Sequence, residues 1–253
     1  HSHLLSSTIP NCVSYDPTYS YELAVIVQDG LRRMYKEMES VFFYITTMNE
    51  NYQQPEMPKG IEIDIVKGMY LLEDGGAGEY KLTKPLNKDA RLRLLGSGTI
   101  LREVRKAAEI LRKEYSVAVD VWSVTSFNEL RRDALAVSRE NMLCPDKKPK
   151  LPFVTEKLAK QKGPIIAATD YMKAYSDQIR EFVPDSYRVL GTDGFGRSDS
   201  RERLRHFFEV DSKFVVLAAL TDLKELGLVD PKAILAHMKK TGIKRAKANP
   251  LHQ

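Results

Sequence analysis

Cysteine, tryptophan and long apolar runs are all scarce in this chain, and each scarcity narrows what it can be. Its 253 residues hold two cysteines, Cys12 and Cys144, far apart and in no metal-ligating spacing. That count excludes a disulfide framework and a thiolate zinc site, and it predicts free thiols in a reducing compartment. No apolar stretch approaches the roughly 20 residues that a spanning helix needs, so no membrane segment is expected. The five histidines are scattered, and no two stand at helical spacing on a face shared with a carboxylate. No metal site is therefore expected, and His1 and His3 read as a flexible terminus. A G-x-S-x-G nucleophile elbow is absent. Internal repeats and low-complexity segments are absent as well. His1 stands where Met would begin a gene product, and no leader pattern follows. We therefore expect a cytoplasmic protein whose chain begins inside a longer parent.

Charge of one sign is not dominant either: 39 basic and 34 acidic residues leave a net +5. Much of that excess lies at Lys239, Lys240, Lys244, Arg245 and Lys247. A nucleic-acid surface would interleave such a patch with aromatics or glycines. This tail has neither, which predicts a solvated basic tail and no nucleic-acid partner.

What is present is strand–helix alternation. Asp16-Pro17 predicts a helix start, with Tyr21, Ala24, Val25, Gln28 and Leu31 at helical spacing. Val41–Thr47 is β-branched and aromatic throughout, as in a strand buried on both faces. Asp74–Ala90, with its glycines, lysines and Pro85, reads as a linker or small hairpin. Beyond it the pattern is regular. Strands are expected at Arg91–Leu95, Val117–Val124, Ile165–Ala168 and Arg188–Leu190. Helices are expected after Thr99, after Ser126, from Asp170, over Ser212–Leu226 and over Pro231–Lys240. Such alternation predicts an α/β fold with a mostly parallel sheet flanked by helices. The division expected is 1–73, 74–90 as a linker, and 91–253.

Two loops carry the candidate chemistry. Gly191–Arg201 (GTDGFGRSDSR) places three glycines between a strand and a helix that Ser198 or Asp199 would cap. Gly194, Gly196, Arg197, Ser198 and Arg201 could cradle an anion. Asp193, Asp199 and Glu202 could instead pair with the arginines, leaving a plain turn. Asn49, Glu50 and Asn51 follow the carboxyl end of a buried strand, the edge where open α/β sheets bind ligands. Gly96-Ser97-Gly98-Thr99 has the outline of a phosphate turn but lacks the last glycine, since Leu101 stands there.

Several of these segments resemble a known family. Ile9-Pro10-Asn11, Asp16-Pro17 and Glu22, with Ile45–Tyr52, are similar to the end of the middle domain of transketolase-group thiamine-diphosphate enzymes. Leu94–Gly98, Ser123–Phe127, Thr169–Lys173 and GTDGFGRSDSR resemble one subgroup, the homodimeric pyruvate dehydrogenase first components. The resemblance covers essentially the whole chain. It implies a transketolase C-terminal-domain-like fold preceded by the end of a middle domain. For the full parent it implies thiamine diphosphate and Mg2+, decarboxylation of pyruvate, and acetyl transfer to lipoyl groups of a dihydrolipoyl acetyltransferase. The family's diphosphate motif, activating glutamate and substrate-side histidines would lie ahead of His1. No catalytic, cofactor-binding or metal-ligating residue is therefore transferred by number. This chain is expected to be non-catalytic, to bind no cofactor alone and to pack in a homodimer. Asn49–Asn51 would fall in a substrate-contacting loop. Transketolase-type ketol transfer and a stand-alone anion-binding or dimerisation module are the alternatives.

Overall fold

The computed structural model describes residues 1–75 and 87–252. The amino-terminal part opens with a short helix, α1 (Ser2–Ser6), and strand β1 (Cys12–Tyr15). Helix α2 (Ser20–Leu31) continues as a π-turn over Arg32–Lys36 and leads to β2 (Phe42–Ile45). β1 and β2 pair in parallel, Cys12 against Phe42 through Tyr15 against Ile45. The apolar stretch around Val41 therefore has a partner strand that its sequence did not announce. It is also only half-buried, with Phe42 exposed, which corrects the two-sided burial expected of it.

α2 starts later than Asp16-Pro17 implied, with Tyr19 as its N-cap. The reason is local. The Asp16 carboxylate is fully buried and accepts from Thr46, so it is turned away from the helix. Glu22 instead reaches back to the backbone N–H groups of Thr18 and Tyr19, satisfying donors that a helix start leaves open.

Helix α3 (Glu62–Lys67) ends at Gly68, whose φ of 111° is a left-handed cap. Five strands follow: β3 (Met69–Glu73), β4 (Asn87–Gly96), β5 (Val117–Val124), β6 (Ile165–Ala168) and β7 (Tyr187–Leu190). They lie in the order β3-β5-β4-β6-β7, parallel except for β3, which runs against β5. All eight residues of β5 are buried, Asp120 and Ser123 included, and the other six are apolar, as suits a strand covered on both faces. β3 belongs to this sheet although the sequence division ends its first segment at Glu73, and β4 already begins at Asn87. The linker expected over 74–90 otherwise falls largely on residues 76–86, outside the described residues.

Helices cover both faces. α4 (Ile100–Tyr115) and α9 (Ser212–Glu225) pack Val104, Leu111, Val215, Val216 and Leu220 against Leu92, Leu94, Val119 and Ile166. α5 (Phe127–Leu143), α6 (Phe153–Leu158) and α7 (Lys173–Asp177) pack Phe127, Leu130, Val154 and Tyr175 against Leu95, Val124 and Ile165. α7 begins at Lys173, after a Met172 N-cap, rather than at Asp170. α10 (Pro231–Thr241) closes the fold, capped by Asp230 with Pro231 in the first turn. The basic tail is not wholly solvated, because Lys247 Nζ donates to the Phe207 carbonyl and pairs with Glu209 at 2.9 Å.

The two parts are joined by buried polar contacts. Ser126 Oγ donates to the Ser14 carbonyl at 2.6 Å, and Asn128 Nδ2 donates to the His3 carbonyl and to Ser14 Oγ. Glu22 receives the hydroxyls of Tyr70 and Ser123, each at 2.6 Å. His3, expected in a flexible terminus, is fully buried, stacks on Tyr175 and meets Thr46 Oγ1 at 3.0 Å.

Candidate functional site

The parallel strands β1, β2, β4, β6 and β7 bring polar residues to their carboxyl ends, and these meet in one seam. Thr46, just past β2, donates to Asp16, just past β1, at 2.7 Å. Ser97, after β4, faces Thr169, after β6, at 3.1 Å. The Gly98 N–H donates to the Asp16 carbonyl, while Thr18 donates its hydroxyl to the Gly98 carbonyl. Gly98 must be glycine here: its φ is 49°, and a Cβ would meet Asp16 Oδ2 at 2.6 Å and Met48 Cε at 2.7 Å.

Asp16 is the most perturbed carboxylate of the seam. Burial pushes its pKa up to about 7, against the pull of the Thr46 and Ser97 hydroxyls and with a further push from Asp170 and Glu22. Its Oδ2 has no described hydrogen-bond partner. Burial lowers the neighbouring His3 to about 4, so that ring is neutral around pH 7.

Beside this seam lies a cleft of about 360 Å³. Its walls are the loop after β2 (Met48, Asn49, Glu50), the loop after β7 (Gly194, Gly196, Arg197) and helix α8 (Arg201–Phe207). The two candidate loops, some 140 residues apart in sequence, thus wall one cleft. Arg201 Nη2 donates to Asn49 Oδ1 at 2.6 Å. Glu50 accepts from Thr99 at 2.8 Å, from Arg102 at 2.5 Å and from Arg205 at 2.5 Å. Burial alone would raise the Glu50 pKa, but the Arg205 and Thr99 hydrogen bonds and the charges of Arg205 and Arg102 hold it down to about 2.

Asn51 and Ser198 do not line this cleft; Ser198 borders a neighbouring hollow with Asp199 and Arg203. Nor does Ser198 or Asp199 cap α8. Ser200 does, its extended backbone placing Oγ to accept from the Arg203 N–H. The pairing expected within the loop is only partly made: Arg203 lies 3.7 Å from Asp199, whereas Asp193 turns to Lys173. Thr99 makes no cap bond either, because its hydroxyl is given to Glu50. Thr99 belongs to the loop weighed as a phosphate turn, whereas Arg102 and Asp170 were not singled out as site residues. Only the strand-end position of Asp170 hinted at it. Among the described residues no group of three His, Cys, Asp or Glu could hold a metal ion, and no helix is long and apolar enough to cross a membrane.

The arrangement has relatives of known name. Residues 78–211 match the model of the transketolase-like TK C-terminal domain, and residues 1–55 match that of the pyruvate dehydrogenase E1 component middle domain. The pyruvate dehydrogenase E1 component of Pseudomonas aeruginosa is 58% identical, covering 99% of this chain and 28% of that protein. The protein of the same name from Escherichia coli K12 is 53% identical, covering 99% and 27%. This chain therefore spans little more than a quarter of the length of these relatives. Transketolase from Campylobacter jejuni superposes with a TM-score of 0.55 at 19% identity, over 86% of this chain and 27% of that one. For the sedoheptulose-7-phosphate complex of Pichia stipitis transketolase the values are 0.57, 15%, 90% and 27%. At those identities the solved structures share the fold.

Proposed function

The chain belongs to the family of transketolase-like C-terminal domains, and on that premise we propose that it works as the carboxyl-terminal portion of a thiamine-diphosphate-dependent pyruvate dehydrogenase first component. The observation that carries this reading is the 58% identity to such a protein over 99% of the chain. The match of residues 1–55 to the middle domain of the same enzyme supports it. The whole enzyme would decarboxylate pyruvate and hand the acetyl group to a lipoyl group of a dihydrolipoyl acetyltransferase. Thiamine diphosphate with Mg2+ would supply the carbanion chemistry when bound.

This reading transfers no catalytic, cofactor-binding or metal-ligating residue onto the chain, so no chemical step is assigned to one of its residues. Its part is architectural. It would hold the Asn49–Glu50 loop in place through Arg201, Arg205 and Thr99, and it would pack in a homodimer. The cytoplasm is the compartment that this role and the free thiols fit.

Calorimetric titration of the 253-residue chain with thiamine diphosphate and Mg2+ is expected to show no binding. Saturable micromolar binding would refute the architectural role. The full-length protein is expected to reduce a dye in the presence of pyruvate and thiamine diphosphate. Ketol transfer between sugar phosphates in place of that activity would favour the transketolase alternative.

A further inference from the structure

Helix α8 presents two faces to two different concavities. Arg201, Leu204 and Arg205 face the cleft beside the seam. Arg203, His206 and Phe207, at helical spacing on the opposite side, face a separate hollow of about 580 Å³. Lys213, near the start of α9, lines the same hollow, as do Gly242, Lys244 and Lys247 at and beyond the end of α10. Two lysines of the basic tail are thus gathered with Arg203 and Lys213 around one space. Against these four cations, Glu202 is the one carboxylate among the described lining residues. Lys247 is already engaged: its Nζ pairs with Glu209 at 2.9 Å and donates to the Phe207 carbonyl, which holds the tail against α8. Arg203 stands 3.7 Å from Asp199 and is largely exposed. Lys213 and Lys244 have no carboxylate partner among the described residues, and Glu202 pairs with none of the four cations. The His206 ring has its Nδ1 held by Asp211 at 2.8 Å. Like charges brought together around a concavity repel, and a bound anion relieves that repulsion in a focused field.

We propose that this hollow binds a phosphomonoester dianion. Its phosphate would sit on Lys213 and Lys244, with Arg203 adding charge at the rim. Ammonium groups are compact point charges that suit phosphate oxygens, whereas a planar carboxylate is better matched by a guanidinium fork. Two unpaired lysines favour a ligand with two negative charges over one with a single charge. The volume is that of a site for an organic ligand, roughly 300–1,000 Å³, and exceeds what a bare ion fills. Phe207 offers the esterified group an apolar wall. Glu202 opposes the ligand's charge and limits its affinity. No residue of the cleft beside the seam takes part.

The test is a titration of the isotope-labelled 253-residue chain with phenyl phosphate at pH 8 and constant ionic strength, followed through backbone amide signals. At that pH the ester is a dianion, since its second pKa lies near ~6. Saturable shifts centred on Lys213, Gly242 and Lys244 are expected. Lys213→Ala and Lys244→Ala should each weaken binding about tenfold, the scale of a lost hydrogen bond to a charged group. Lys213→Arg, which keeps the charge, should restore most of that loss. Glu202→Gln should tighten binding about twofold, the scale of an exposed charge and a gain that no folding defect produces. Lys232→Ala should leave it unchanged, because Lys232 stands at the opposite end of α10, more than a Debye length of about 8 Å away. Phenyl sulfate, a monoanion of the same shape, and inorganic phosphate should both bind more weakly than phenyl phosphate. Absence of saturable shifts, or weakening by Lys232→Ala equal to that by Lys213→Ala and Lys244→Ala, overturns the site. Phenyl sulfate binding as tightly as phenyl phosphate overturns the preference for a dianion. Inorganic phosphate binding as tightly as the ester overturns the place of the organic group on Phe207.

Discussion

Asp16 and Glu50 are carboxylates a few residues past parallel strands, yet their surroundings drive them in opposite directions. Glu50 is met by two arginines and a threonine, which hold its pKa down to about 2. Its contribution is therefore present above the unfolded-state value near ~4.3 and is lost as pH falls through about 2. Asp16 is enclosed, receives one threonine hydroxyl and rises to about 7. The folded state then binds a proton that the unfolded state, with a value near ~3.9, has released. Stability from this group is full below ~4 and is lost as pH rises through about 7. Asp16→Asn removes the titration, and it should stabilise the chain at pH 8 by more than about 1 kcal/mol while changing little at pH 4. Urea unfolding at the two pH values measures this. Equal effects at both would show that Asp16 does not titrate in that window. Neither shift was legible in the sequence, where Asp16 read as a helix cap and Glu50 as one polar residue among several. A carboxylate's pKa depends on which groups the fold sets beside it, and Arg205 lies 155 positions from Glu50.

At the scale of the elements, local sequence was a better guide. Ser126 predicted a cap and is one: its Oγ accepts the Glu129 N–H at 3.0 Å at the start of α5. The same oxygen donates to the Ser14 carbonyl, so the cap also fastens β1 to the sheet domain. Ser126→Ala removes both bonds and should cost about 1–3 kcal/mol, more than an ordinary exposed cap. Chemical denaturation reads this loss, and a change below about 0.5 kcal/mol would mean that neither bond contributes. The strands Val117–Val124 and Ile165–Ala168 and the closing helices were also legible, because their apolar period survives inside a buried sheet and its covering helices. Element starts were less so. Asp16, Thr99, Asp170, Ser198 and Asp199 are all residue types that suit a cap. Asp16 and Thr99 are drawn away by longer-range hydrogen bonds. The real α8 cap, Ser200, differs from Ser198 only in where the Gly191–Asp199 loop ends.

For the molecule as a whole, the packing between the two parts is polar as well as apolar. Glu22 accepts from two backbone amides, Tyr70 and Ser123 without a neutralising cation among its described partners. Breaking that contact would strand a buried carboxyl group, which costs more than exposing the same group on a surface. The amino-terminal part also lends β3 to the five-stranded sheet. Unfolding monitored by calorimetry should therefore show one cooperative transition. Two separable transitions would mean that the first 67 residues melt independently of the sheet.

The sequence by itself determined the α/β class, most of the central strands and covering helices, and the motifs that mark the family. These follow from hydrophobic period and short-range chemistry, which act over a few residues and need no knowledge of the rest. Tertiary structure alone decided that β1 partners β2, that β3 crosses into the larger sheet, that His3 is buried, and that the loop after β2 and the loop after β7 form one arginine-lined cleft. Each of these joins residues distant in the chain through desolvated hydrogen bonds and ion pairs, whose partners no local pattern encodes.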